Sequence, residues 1–116
     1  MTEPIPYFYD SINRNAIVVK PRQVFFDWIN SIYPDDPVKD VDEGTVYLIR
    51  EKESNIAIEK WLKTKFDNIF QNELNNWHTD EKDWPRKRTY KQFREWFDVE
   101  IHSMILDLEE TGILKN

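Results

Sequence analysis

The sequence predicts an α+β domain in which three main helices pack on a small two-stranded sheet, in the order β-α-β-α-α. Two short runs rich in β-branched residues, at 16–20 and 45–50, supply the strands. Three stretches with apolar residues three and four apart supply the helices, and prolines and capping residues punctuate them.

Residues 1–6, with Pro4 and Pro6, read as a tail, and order is expected from about Tyr7. The run AIVVK at 16–20 is too continuous for a half-exposed strand, so it is expected to be covered on both faces. Pro21 suits a first helical position, and Val24, Phe25, Trp28, Ile29 and Ile32 form one stripe that carries helix one to about Tyr33. Pro34 and Pro37 stop it. Residues 35–43 (DDPVKDVDE) then hold five carboxylates against Lys39, an acidic loop. After Gly44, TVYLIR at 45–50 favours a second strand. A helix between two strands suggests a parallel βαβ unit with a right-handed crossover.

Ser54 or Asn55 caps helix two, which runs to about Trp77 on Ile58, Trp61, Leu62, Phe66, Ile69, Phe70, Leu74 and Trp77. Residues 78–88 are a polar connection, with Trp84 ahead of Pro85. Thr89 and Gln92 make a capping box for helix three. Its stripe is Tyr90, Phe93, Phe97, Ile101, Met104 and Leu108, ending before Gly112.

At 116 residues the chain is expected to be a single domain spanning 1–116, and 40% apolar with 15% aromatic residues is enough to build a core. With no cysteine there is no disulfide, thiol nucleophile or cysteine-ligated metal. The 22 acidic residues outnumber the 16 basic ones, a net charge of -6 that argues against general binding along a nucleic-acid backbone. No apolar run is long enough for a membrane span, and MTEPIPYFYD lacks the basic and apolar regions of a secretory signal. A cytoplasmic location without membrane association is the expectation.

Few residues carry a recognisable chemistry. Helical spacing puts Glu73 inside the apolar stripe of helix two, where it would be a buried general acid or base; the preferred alternative is that the helix frays before it. Asp98 and His102, four apart on helix three, would face one way, but a catalytic metal needs a third ligand and His78 lies in a loop; a solvated face is the preferred reading. No serine stands in a glycine-rich elbow, and two glycines leave no phosphate-cradling loop. No cofactor and no metal are expected.

The most unusual segment is DWPRKRTYKQFREWF at 83–97. Arg86, Lys87, Arg88, Lys91 and Arg94 cluster there among Trp84, Tyr90, Phe93 and Trp96. These cations crowd the positive end of a helix, so something negative should compensate. That partner is either an external phosphate or nucleic-acid strand, or the chain's own carboxylates, the latter being preferred. Trp84, Arg86, Lys87, Arg88, Lys91, Arg94 and Trp96 are the candidate ligand or partner contacts. Trp96, Val99 and Leu106 form a second ridge on helix three, to be sandwiched inside the fold or offered to a partner or a second copy.

NRNAIVVKPRQVFFDWINSIYPDD at 13–36 and TVYLIREKESNIAIEKWLKTKFDNIFQNELNNW at 45–77 resemble a family of small acidic bacterial proteins without assigned function. The resemblance implies a bacterial, cytoplasmic, single-domain protein and carries over no activity and no functional residue. The expected function is a non-catalytic binding or regulatory module acting through protein contacts. The alternatives are nucleic-acid or phosphate-ligand binding through segment 84–96, and a small hydrolase or isomerase using Glu73 with His78 or His102.

Overall fold

The computed structural model describes residues 10–39 and 43–116. The expectations for residues 1–9, and for 40–42 of the acidic loop, lie outside the described residues. The elements are β1 (Arg14–Pro21), α1 (Gln23–Ile32), β2 (Thr45–Arg50), α2 (Asn55–Trp77), a short 3-10 turn (Glu81–Asp83), α3 (Tyr90–Trp96) and β3 (Phe97–His102). The α+β class holds, and the strands form one three-stranded sheet in the order β2-β1-β3, antiparallel throughout.

Three expectations are corrected. The sheet has three strands rather than two, because β1 bonds a neighbour on each side. Helix three stops at Trp96 rather than running towards Gly112, and the chain passes into β3 without a loop. Phe97 already has extended backbone angles (φ -133°, ψ 140°), while its N–H still closes the last helical turn on the Phe93 carbonyl. From Phe97 onward the residues alternate apolar and polar, Phe97, Val99 and Ile101 against Asp98, Glu100 and His102. That is the period of a strand with one buried face. Positions 93, 97 and 101 also satisfy a four-residue spacing, which is how a helix fits the same letters.

The third correction is direction. β1 and β2 are antiparallel, with Val19 opposite Thr45 and Arg14 opposite Arg50. A parallel return would have set the start of β2 beside the start of β1; instead β2 starts beside the end of β1. Gly44 suits this re-entry, because a Cβ there would lie 2.9 Å from the Val19 carbonyl oxygen and 2.5 Å from Cγ of Lys20.

Helices cover one face of the sheet. Ile17 and Val19 are fully buried, and Phe25, Phe70, Phe93 and Phe97 pack around them with Ile58, Leu62 and Leu74. Phe97 meets Phe25, Phe70 and Phe93 at ring-centroid distances of 5.3, 5.4 and 5.3 Å. Phe66, half-buried, packs on Tyr90 and Phe93, so the stripes of α2 and α3 face each other. Val46 and Leu48, which alternate with the inward Tyr47 and Ile49, remain exposed.

The ends of the two edge strands are tied together by one residue. Asn15 is buried; its amide donates to the Ser103 carbonyl just past β3 (3.0 Å), and its carbonyl oxygen accepts from the Lys52 N–H just past β2 (2.7 Å). Asn15→Ala leaves buried polar groups unpaired and is expected to lower the unfolding free energy by about 2 kcal/mol or more, since each such group costs about 1–3 kcal/mol. Urea denaturation reads this directly, and an unchanged midpoint would show that the strand ends are held by other contacts.

Candidate functional site

Glu73 lies within α2, which continues to Trp77, so the fraying alternative does not apply. Only 3% of it is exposed. The Tyr47 hydroxyl on β2 donates to Glu73 Oε2, and Asn72 Nδ2 donates to that hydroxyl from 2.8 Å. Burial pushes the Glu73 carboxyl above its ordinary range, against the lowering effect of the bonds from Tyr47 and Thr45. Burial first, and the Glu73 carboxylate second, push the Tyr47 hydroxyl up as well, so it stays a neutral donor. These contacts join α2 to β2 across the layer boundary.

Neither histidine joins this pair. Tyr33 Oη and His78 Nδ1 are 2.8 Å apart, and His78 Nε2 is 2.8 Å from the Asp83 carboxylate. Both ring nitrogens of His78 are thus engaged, one by the Tyr33 hydroxyl and one by the Asp83 carboxylate. Trp28 Nε1 donates to the Asp83 carbonyl (3.0 Å) and Trp84 Nε1 to the His78 carbonyl (2.8 Å). This cluster pins the α2–α3 connection onto α1. His102 is exposed and lies 3.3 Å from its neighbour Glu100. Asp98 and His102 sit on a strand, where four residues span about 13 Å rather than one helical turn, which corrects their placement on helix three; both are exposed. Among the described residues no group of three or more His, Asp or Glu side chains is placed to hold a metal ion.

Four of the seven predicted contact residues have partners inside the chain. Arg88 Nε and Nη2 grip Asp67 at 2.6 and 3.2 Å, and Nη1 donates to the Pro85 carbonyl at 2.9 Å. The guanidinium holds the Asp67 carboxyl below its ordinary range. Arg94 Nη1 donates to Glu59 Oε1 (3.1 Å) and to the Tyr90 hydroxyl (2.8 Å), which itself donates to Glu59 (2.6 Å). Trp84 is buried. Trp96 packs on Phe25, Trp28 and Phe70 at 6.2, 6.0 and 5.6 Å. Arg86, Lys87 and Lys91 are exposed and have no acidic partner among the described residues. The counter-charges Asp67 and Glu59 both lie on α2.

The ridge of Trp96, Val99 and Leu106 is not one helix face: Trp96 ends α3, Val99 lies in β3 against the core, and Leu106 follows the sheet. After β3 the chain stays extended beside residues 10–12. The Ile12 N–H donates to the Ile105 carbonyl (2.9 Å), the Asp107 N–H to the Asp10 carbonyl (3.4 Å), and Ser11 bridges Leu106. Met104, Leu106 and Leu108, alternate residues of that segment, are 73%, 47% and 61% exposed.

Beside the end of β3 lies a groove of about 530 Å³ lined by Asn55, Ile56, Glu59, Lys60, Lys63 and Ile101. Ile56 is 82% exposed, and Lys60 and Lys63 are exposed with no acidic partner among the described residues. Sequence reasoning missed this groove. Ile56 and Lys60 lie on the outer side of α2, and only the placement of β3 sets Ile101 beside them.

No protein-family model, no curated protein and no solved structure matches this chain. No helix among the described residues is long and apolar enough to cross a membrane.

The raised Glu73 carboxyl has a definite consequence for pH dependence. Between the ordinary carboxylate range and the raised folded value, the native state holds a proton that the unfolded chain has lost, so this site's contribution to stability falls as pH rises. Glu73→Gln keeps an acceptor for Tyr47 and removes the titration. Its stability relative to wild type is therefore expected to increase from pH 4.5 to 7.5 in paired denaturation curves; a constant difference would show that Glu73 titrates alike in both states.

Proposed function

We propose that this chain is a small non-catalytic binding module that works through protein contacts at the end of β3. The observation that carries the reading is an imbalance in what the surface leaves unpaired. The two arginines best placed for an anion, Arg88 and Arg94, are held by Asp67 and Glu59. By contrast, the apolar row Met104, Leu106 and Leu108 and the Ile56–Ile101 groove with its two lysines stand open. Apolar surface rimmed by charge is the composition of a protein-contact site. Glu73 has no histidine partner among the described residues, so the hydrolase reading lacks its second group.

Arg86, Lys87 and Lys91 support the second reading, an anionic ligand on segment 84–96, but three cations give few phosphate contacts.

Random peptides displayed on phage and panned on the immobilised protein test the first reading. Enrichment of extended sequences alternating apolar and acidic residues, lost when the bait carries Lys60→Glu and Lys63→Glu, is the expected result. A bait that enriches nothing, while a fluorescent single-stranded oligonucleotide binds and is released by Arg86→Ala with Lys87→Ala, would replace it with the anion reading.

A further inference from the structure

The groove and the exposed row are chemical complements of one another. The groove offers two apolar side chains, Ile56 and Ile101, and two exposed cations, Lys60 and Lys63, beside Glu59, whose carboxylate is already engaged by Arg94 and Tyr90. The segment MILDLEE at 104–110 offers Met104, Leu106 and Leu108 on alternate residues, with Asp107, Glu109 and Glu110 among and after them. Apolar residues meet apolar residues, and the two carboxylates that end the segment, Glu109 and Glu110, meet two ammonium groups; Asp107 alternates with the row and accepts the Glu109 N–H (2.9 Å).

Within one chain this match is unused. The segment is committed to residues 10–12 by its backbone bonds, and the exposure of its three apolar side chains shows that they do not fill the groove. We propose that the occupant of the groove is the 104–110 segment of a second copy, exchanged reciprocally. This rests on the protein-contact reading above and names its partner.

Position favours a closed pair over an open chain of copies. Ile101, in the groove, and Met104, the first residue of the row, are three residues apart, at most about 10 Å of extended backbone. Donor and acceptor surfaces therefore flank the same point, the end of β3. A two-fold axis near that point sets each row in the other copy's groove at once, an isologous contact in which every interaction occurs twice. The other edge of β3 is a poor alternative: Asp98 and Glu100 on its outward row would set carboxylates against carboxylates in a β3–β3 pairing.

With a net charge of -6 on each copy, overall repulsion and local attraction respond to salt in opposite senses, so charge reversal is the decisive probe. Lys60→Glu with Lys63→Glu makes a chain whose groove and segment are both acidic; Glu109→Lys with Glu110→Lys makes one in which both are basic. Sedimentation velocity on the full chain is expected to show a wild-type dimer, and each double variant alone to raise the dissociation constant about tenfold or more. In a mixture of the two variants both grooves find a complementary segment, so a heterodimer as tight as wild type to within about threefold should return, a difference of about 0.7 kcal/mol.

A wild-type chain that stays monomeric up to about 0.5 mM, a dimer untouched by either variant, or a mixture that fails to re-associate overturns the exchange. Circular dichroism of each variant separates loss of pairing from loss of folding, since all four residues are exposed. A monomeric wild type that still captures the apolar–acidic peptides overturns the second copy as occupant and leaves the protein-contact reading standing; failure of both removes that reading too.

Discussion

The central strand needs a partner on each side, and most of the architecture follows from that. β1 carries Ile17 and Val19 at zero exposure, deep enough that every backbone N–H and C=O around them must find a hydrogen bond within the chain. β2 satisfies one side. The other side is satisfied only because α3 ends after seven residues and its chain turns directly into β3. Phe97 stands at that junction, closing the helix with its N–H while its ring fills the space between Phe25, Phe70 and Phe93. Burial of one aromatic side chain and completion of the sheet are therefore the same event.

Most polar groups that enter the interior are matched, with Gln92 Oε1 left without a partner among the described residues. Asn15 ties the exits of both edge strands, Glu73 and Tyr47 bond across the helix–sheet boundary, and the His78 cluster ties the longest helix connection to α1. The arginines follow the same rule, since Arg88 and Arg94 face carboxylates on α2 rather than water alone. Besides Arg86, Lys87 and Lys91 and the exposed Val46 and Leu48, the fold leaves unmatched an apolar row with acids and an apolar groove with lysines around the end of β3. Those two surfaces have chemistry to spare, and the functional reading is drawn from them.

Much of the fold was legible in the residues, because local signals there agreed with tertiary demands. Ser54 caps α2 through a bond from the Ala57 N–H, Thr89 caps α3 through one from Gln92, and TVYLIR forms β2 over the residues expected. Phe93 to Ile101 is where they disagreed: the residues satisfy a helical spacing and a strand alternation together, and nothing local to the segment chooses. The candidate site was less legible. Segment 84–96 stands out by composition, but composition does not reveal that Asp67 and Glu59, 21 and 35 residues away, meet its arginines.

At Glu73 the sequence left a buried carboxylate and a frayed helix end both open, but by itself it determined the class, the span of α2 to about Trp77 and the caps of α2 and α3. These depend on periodicity, capping and side-chain chemistry within a few residues. Only the tertiary structure decided that β1 is the central strand, that β2 returns antiparallel, that helix three yields to β3, and that Ile56, Lys60 and Lys63 share a groove with Ile101. Each of those is a pairing across tens of residues, and the free energy that selects it, sheet hydrogen bonding together with burial of Phe97, exists only once the distant partners have met.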